Sequence, residues 1–271
     1  MAYENILLET SDHIATITLN RPEKLNALSP ALLEELTQAL EAINDDHDIN
    51  VLIVTGAGRA FSSGFDIAPG RHRPDAPVTA NWDATHLAPR SVMQLWNMRQ
   101  PTITAVNGFA LAAGNVLALA ADIVIASEQA QFGEPEIRHV AHSPAILLPY
   151  MMPFRHLHWF YYTGETIDAH TAEKWHMVNK VVPADRLLDE ARAVATRIAM
   201  VPPFATQMMK RSLKGVYEKM GFNAALEHHL MLRMIDGMTP NVPEKEALRA
   251  IREEQGLKAF LEARDKPFRA S

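Results

Sequence analysis

The sequence predicts an α/β protein, a core of paired strands and helices wound as a ββα spiral and followed by a purely helical C-terminal region. Three observations predict it. Apolar runs of strand length recur between segments of helical periodicity. Two of those strands run into turns built from small residues, at Gly56-Ala57-Gly58 and around Asn107-Gly108. From about residue 202 onward strand signals vanish and only helical patterns remain.

Taken in order, residues 6–9 and 14–19 are aliphatic and β-branched runs separated by Thr10-Ser11-Asp12-His13, which predicts a hairpin. Ser29-Pro30 is a helix start, a capping hydroxyl followed by Pro in the first turn, and Leu32, Leu36, Leu40 and Ile43 then recur at helical spacing. Residues 51–55 predict a strand. Residues 68–89, rich in Pro, Arg, His and Asp without periodicity, predict a mobile loop beside the site that the strands build. A strand at 102–106, a small-residue turn, a helix and a strand at 123–126 repeat the first unit. Residues 222–235 and 244–263 read as helices. A division follows, with a core over 1–200 and a helical region over 201–271 that is too thin to fold alone and so packs on the core or on another subunit.

Composition excludes several classes. Of 271 residues, 48% are hydrophobic and 21% charged, the balance of a soluble globule with a sizeable core. A net charge of -6 is the wrong sign for nucleic acid as main partner. With no cysteine, disulfides, thiolate nucleophiles and iron–sulfur clusters drop out together. Glu4, Glu9 and Asp12 stand where a signal peptide has its basic and apolar regions, so a cytoplasmic location is expected. The apolar stretch 103–126 contains Asn107, Gly108, Gly114, Asn115 and Asp122 and reads as strand, turn, helix and strand, not as a membrane span.

Three segments could carry chemistry. In residues 56–66, small residues after a strand let a ligand approach backbone N–H groups, which suits a phosphate or a developing oxyanion as well as a plain tight turn. In residues 106–116, small residues lead into a helix, whose N-terminus offers N–H groups and positive dipole to an enolate oxygen, or simply packs closely. In Gln131-Phe132-Gly133-Glu134-Pro135-Glu136-Ile137, two carboxylates flank a Pro. Glu134 is expected on a solvated turn and Glu136 in a buried position where desolvation raises its pKa. His139 and His142 do not mark a metal site, because the spacing lies outside a helix and lacks a third ligand. His156, His158, His228 and His229 read as helix-face residues. Ser62 and Ser63 lack a nucleophile elbow, which disfavours an acyl-enzyme triad.

These segments, with residues 20–28 (NRPEKLNAL), 101–108 (PTITAVNG), 163–165 (TGE), 178–183 (VNKVVP) and 256–264 (GLKAFLEAR), resemble in order the enoyl-CoA hydratase/isomerase, or crotonase, superfamily. The resemblance spans almost the whole chain. It implies a crotonase-like ββα spiral, a C-terminal helical trimerisation region giving homotrimers or homohexamers, an acyl-CoA thioester as substrate, and no prosthetic group or metal. It also implies that the backbone N–H groups of Phe65 and Ala113 stabilise a thioester enolate. On the same basis Lys24, Leu25, Ala60, Ser63, Asp66, Ile67, Gly114 and Val116 line the substrate and CoA, and Lys266 and Phe268 reach the adenine end, from this chain or a neighbour.

Departures from the family pattern bear on the reaction. Hydratases of the family have two glutamates, whereas this chain has Val116 at the first position and Glu136 at the second. Valine cannot hold or deprotonate water. A single glutamate resembles the enoyl-CoA isomerases, in which one carboxylate moves a proton between C2 and C4. The segment after Glu136 is also unusual, and His139 or His142 could supply a second acid/base group near neutral pH. His176 stands where the family commonly has Gly, residues 236–246 look like an insertion, and Arg71-His72-Arg73-Pro74 with Trp82 and Trp96 is expected to shape the acyl pocket. Isomerisation is the leading expectation. A divergent hydratase or hydratase/lyase, a C–C hydrolase or decarboxylase, and a non-catalytic binder of acyl-CoA or RNA are the alternatives.

Overall fold

The chain enters through a hairpin, β1 (Ile6–Ser11) and β2 (Ile14–Leu19), with Ile6 opposite Leu19 and Ser11 opposite Ile14. Its turn is tighter than expected. Asp12 and His13 alone reverse the chain at φ 52° and 63°, the two left-handed residues of a type I′ turn, which matches the strand twist and leaves Thr10 and Ser11 in the ladder. The computed structural model describes residues 3–66 and 77–269, apart from the side chains at 84, 87 and 88.

Helix α1 (Pro30–Asp45) begins where the capping signal placed it, with the Ser29 hydroxyl accepting from Leu32 N at 3.2 Å. It buries Leu32, Leu36, Leu40 and Ile43 on one face. The spiral then proceeds by repetition. Strand β3 (Val51–Gly56) is followed by the short β4 (Ala60–Ser62) and helix α2 (Val78–Asn97). Strand β5 (Thr102–Val106) is followed by β6 (Phe109–Leu111) and α3 (Ala113–Leu119). Strand β7 (Ile123–Ser127) is followed by β8 (Gln131–Gly133), a 3-10 turn (Pro135–His139) and α4 (Phe154–Thr163). Each first strand joins one sheet and each second strand another. With β9 (Ile167–Asp168), α5 (Ala169–Lys174) and β10 (Lys180–Val182), the sheets run β1-β2-β3-β5-β7-β10 and β4-β6-β8-β9. Among the described residues all strand pairings are parallel except β1 with β2 and β8 with β9.

Strand periodicity decides which residues face which layer. In β3, Val51 and Ile53 join Ile103, Ile125 and the buried face of α6 (Leu187–Ala199), namely Leu187, Ala191 and Ala195. Leu52 and Val54 point the other way, into the main core with Phe61, Val106 and Leu117. The large sheet is therefore covered on both faces, and its strands read as continuous apolar runs.

Helix α2 corrects the expectation of a loop reaching residue 89. From Val78 onward the chain is helical despite the internal Pro89. Proline lacks the N–H that would bond to Thr85 O, and in its place Arg233 Nη1 donates to that carbonyl at 3.4 Å. Residues 67–76, including Arg71-His72-Arg73-Pro74, lie outside the described residues. Trp96 stacks on Phe222 at 4.8 Å between ring centroids, and Trp82 packs on His86 in a tilted arrangement at 4.1 Å.

Three helices end the chain, α7 (Pro203–Lys219), α8 (Phe222–Met238) and α9 (Pro243–Asp265), the last broken at Gly256 with φ 86°. Lys210 ties α7 to the large sheet, its Nζ donating to Gln100 O at 2.7 Å and to Asp122 Oδ2 at 2.6 Å. Asp122 in turn accepts from Thr102 N and Oγ1. Replacing Lys210 by Met leaves a buried carbonyl without its donor and Asp122 without its cation, at an expected cost of about 2 kcal/mol because Asp122 keeps some water. Urea unfolding of the variant checks this value. Among the described residues no helix is long and apolar enough to cross a membrane, and 103–126 forms β5, β6, α3 and the start of β7.

Candidate active site

The site starts from Asn26, fully buried in a left-handed conformation beside Leu25, at φ 52° and 51°. Its Nδ2 donates to Ala57 O at 2.9 Å and Ala60 O at 2.7 Å, and its Oδ1 accepts from Arg21 N at 2.8 Å. This one side chain therefore shapes the turn after β3. Two strands of backbone are then sewn together, with Ser63 N donating to Leu25 O, Leu28 N to Gly64 O and Asp66 N to Leu28 O. The result sets Leu25, with Lys24 just before it in the chain, against Ser63 and sets Leu28 against Phe65 and Asp66, while Arg21 pairs with Asp66 at 3.3 Å. Ala60 is buried inside β4, with its carbonyl taken by Asn26 and Asn107. Ile67 lies outside the described residues.

The second loop meets the first at two glycines. A Cβ on Gly64, which has φ 95°, would fall 2.8 Å from Ala112 Cβ and 3.3 Å from Ala113 N. A Cβ on Gly114 would fall 2.3 Å from Ser62 O. Backbone meets backbone with no room for a side chain, so Phe65 and Ala113 each adjoin the contact between the loops. Ala112 sits at φ 54°, ψ -128°, a region that costs energy for any residue with a Cβ and that marks the loop as held in place by its surroundings. Asn115 and Val116 follow, both buried.

The carboxylates lie one step along the spiral, after β8. Glu134 is 2% exposed, which corrects the expectation of a solvated turn. Its Oε1 accepts from Asn115 Nδ2 at 2.7 Å, a bond between α3 and the β8 segment that composition alone did not signal. Glu136 stands in the following 3-10 turn. One oxygen of each carboxyl, Oε2 in both, is buried without a hydrogen-bond partner. Burial, reinforced by the Glu136 charge, pushes the Glu134 carboxyl well above the usual range. Burial likewise pushes Glu136 up to about 7, against the pull of Glu134, Arg233 and Arg264. Tyr161, partly buried against the core, is raised by desolvation of its hydroxyl and then by both carboxylates.

The two histidines part company. His139 packs edge-on against Phe260 of α9 at 5.6 Å, and burial with the Arg264 charge pushes it down to about 4, so it is a neutral ring near pH 7. His142 is about half exposed and its Nδ1 lies 3.5 Å from Asp236 of α8. The loop that carries them is pinned by the C-terminal helices of the same chain. His229 Nε2 lies 2.8 Å from Ser143 O, Arg233 Nε donates to His142 O, and Arg138 pairs with Asp265. Asp236 also pairs with Lys245, so the 236–246 segment closes on this loop. Phe268 lies beneath the Arg138 guanidinium at 4.4 Å, in the 3-10 turn (Lys266–Phe268) that also holds Lys266. His176 adopts φ 68°, a backbone conformation that glycine takes without strain. Among the described residues no group of three or more His, Asp or Glu is arranged to hold a metal ion.

Comparison with known proteins agrees with this architecture. A family model described as enoyl-CoA hydratase/isomerase matches residues 9–271. The Mycobacterium bovis protein named probable enoyl-CoA hydratase echA8 is 38% identical over 227 residues, which cover 80% of this chain and 84% of that one. The (E)-benzylidenesuccinyl-CoA hydratase of Thauera aromatica is 32% identical and covers 98% of this chain and 99% of its own. Among solved structures, an enoyl-CoA hydratase/isomerase from Xanthobacter autotrophicus Py2 superposes with a TM-score of 0.91 at 36% identity, over 98% of this chain and 99% of that one.

Proposed function

The chain belongs to the enoyl-CoA hydratase/isomerase family, an enzyme of crotonase fold, and from that premise we propose that it moves the double bond of an enoyl-CoA thioester by a proton shuttle through Glu136. The observation that carries this reading is the Glu136 carboxyl, which stands in the 3-10 turn after β8 with one buried oxygen free of any hydrogen-bond partner and whose pKa desolvation pushes up to about 7. A base of that strength takes a proton from C2 and returns it at C4 at neutral pH. The backbone N–H groups of Phe65 and Ala113 hold the thioester oxygen as negative charge develops there. That assignment draws support from the closeness of the two loops at Gly64 and Gly114. Lys24, Leu25, Ser63 and Asp66 line the CoA, Gly114 and Val116 the acyl group, and Lys266 and Phe268 the far end of the cofactor-like tail.

No prosthetic group enters this chemistry, since backbone donors carry the charge. His139, neutral and packed on Phe260, shapes the pocket wall, and His142 turns its Nδ1 toward Asp236. Residues 201–271 serve as the oligomerisation region of a trimer or hexamer, a reading supported by exposed apolar side chains on α7, Phe204, Leu213 and Val216. A second reading, hydration of a 2-enoyl thioester, is favoured by one observation, the second carboxyl of Glu134 beside Glu136. Incubation with a 3-enoyl-CoA and, separately, a 2-enoyl-CoA in deuterated water, followed by NMR, separates the two. Migration from C3 to C2 without a hydroxyl product supports the shuttle. A 3-hydroxyacyl product from the 2-enoyl thioester replaces it with hydration.

A further inference from the structure

Val116 leaves the site without a carboxylate on α3, yet α3 reaches the base by another route. Asn115, the residue before Val116, donates through Nδ2 to Glu134 Oε1 at 2.7 Å, and both side chains are buried. That bond fixes the plane of the Glu134 carboxyl and leaves Oε2 as its other oxygen, buried and without a donor. Glu136 Oε2, beyond the rigid Pro135, is in the same condition. Both oxygens are buried and one proline apart in the chain, and each carboxyl acts on the other; two such groups repel as a pair of anions and bond only if one proton lies between them. The groups around the pair decide which carboxyl keeps that proton. Arg233 of α8 and Arg264 of α9 favour charge on Glu136, whereas the Glu134 carboxyl is raised by burial and by the Glu136 charge, with Asn115 and Ser143 as its neutral partners.

We propose that Glu134 is a positioning residue for Glu136, its carboxyl bonding across Pro135 to the Glu136 carboxylate through one shared proton and so linking the base to α3 through Asn115. The proposal rests on the reading of Glu136 as the base. Its consequence is that the second loop and the base form one hydrogen-bonded unit. Movement of α3 is thereby felt at the carboxylate, and the base stays aimed while its other oxygen, Oε1, meets the substrate.

The test is the exchange of C2 protons of butyryl-CoA in deuterated water, a half-reaction that needs neither isomerisation nor hydration, measured as a function of pH for the wild type, E134Q and E134L. E134Q keeps an N–H donor toward Glu136, so its acid limb is expected to stay with that of the wild type. E134L removes the donor, and the acid limb is expected to rise by about one pH unit, the effect of one hydrogen bond to a charged group, with kcat falling and KM for the thioester little changed. Infrared difference spectra of the wild type and E134Q taken well above pH 7, where Glu136 with its pKa pushed up to about 7 is ionised, report the proton directly and do not depend on E134L folding. A protonated-carboxyl stretch present in the wild type and absent in E134Q is expected. Absence of that stretch in the wild type, or an acid limb that E134L leaves in place, overturns the proposal. Exchange that survives in E136Q overturns the assignment of the base itself, whatever the Glu134 variants do.

Discussion

Glu136→Gln is expected to lower turnover and C2 exchange by roughly a thousandfold, within the range usual for loss of a general base, while acyl-CoA binding stays intact. The amide is nearly isosteric and keeps the hydrogen-bonding capacity of the position but cannot take a proton. Titration calorimetry with a saturated acyl-CoA checks the binding half of the expectation, and NMR exchange the kinetic half. The pH dependence of the wild type follows from the same group. The working form is the ionised carboxylate, and burial has pushed its pKa up to about 7, so the rate should climb as pH rises through about 7 and level off above it. Stability moves the other way. An acid whose folded pKa lies above its ordinary value stabilises the fold below the ordinary carboxylate range, and that contribution is lost as pH rises through about 7. Glu136→Gln should therefore resist urea better than the wild type at alkaline pH, and this gain should shrink in acid. A variant that loses activity because it unfolds would show the opposite, so the pair of measurements separates chemistry from folding.

How far the residues alone announced this arrangement depends on the range over which each signal acts. Local signals were legible. The Ser29-Pro30 start of α1, the apolar runs of β3, β5 and β7 and the small residues of both loops each express a neighbour-to-neighbour rule, and each stands where those rules put it. Strands β4, β6 and β8 were not legible because three residues are too few to show alternation, although they are what turns each strand pair into one step of the spiral. Helix α2 was hidden by Pro89, whose cost is met by a donor from α8 more than a hundred residues away. Long-range partners also decided the site. Glu134 reads as a surface residue because nothing near it in sequence shows that Asn115 sits opposite, and the packing of the 138–143 loop is not legible because His229, Arg233 and Asp265 approach it from helices at the far end of the chain.

The second large effect is expected from Gly114→Ala. The added Cβ would lie 2.3 Å from Ser62 O and 2.8 Å from Ser62 C, so the obstacle is backbone and not the end of a flexible side chain. Ser62 cannot readily withdraw. Its hydroxyl donates to Asn26 O at 2.9 Å and accepts from Gly64 N at 3.2 Å, and Asn26 is itself held by Ala57 and Ala60. The strain is relieved instead by moving the start of α3 away from the first loop by about 1 Å, which restores ordinary contact distance. That shift separates Ala113 from Phe65, the two backbone donors assigned to the enolate oxygen. Misplacement on this scale is expected to cost about a hundredfold in kcat, with KM for the acyl-CoA changing far less because the CoA segments at Lys24 and Leu25 lie on the undisturbed side. Gly215→Ala supplies the comparison, since a Cβ there meets nothing within 4 Å and the position is inside α7. That change should leave the rate alone and raise stability by roughly 0.5–1 kcal/mol through helix propensity. Steady-state kinetics of both variants with thermal unfolding as the companion measurement decide the matter. If Gly114→Ala unfolds normally and turns over like the wild type, the contact between the two loops has no part in holding the enolate oxygen, and the donors must be sought elsewhere in the site.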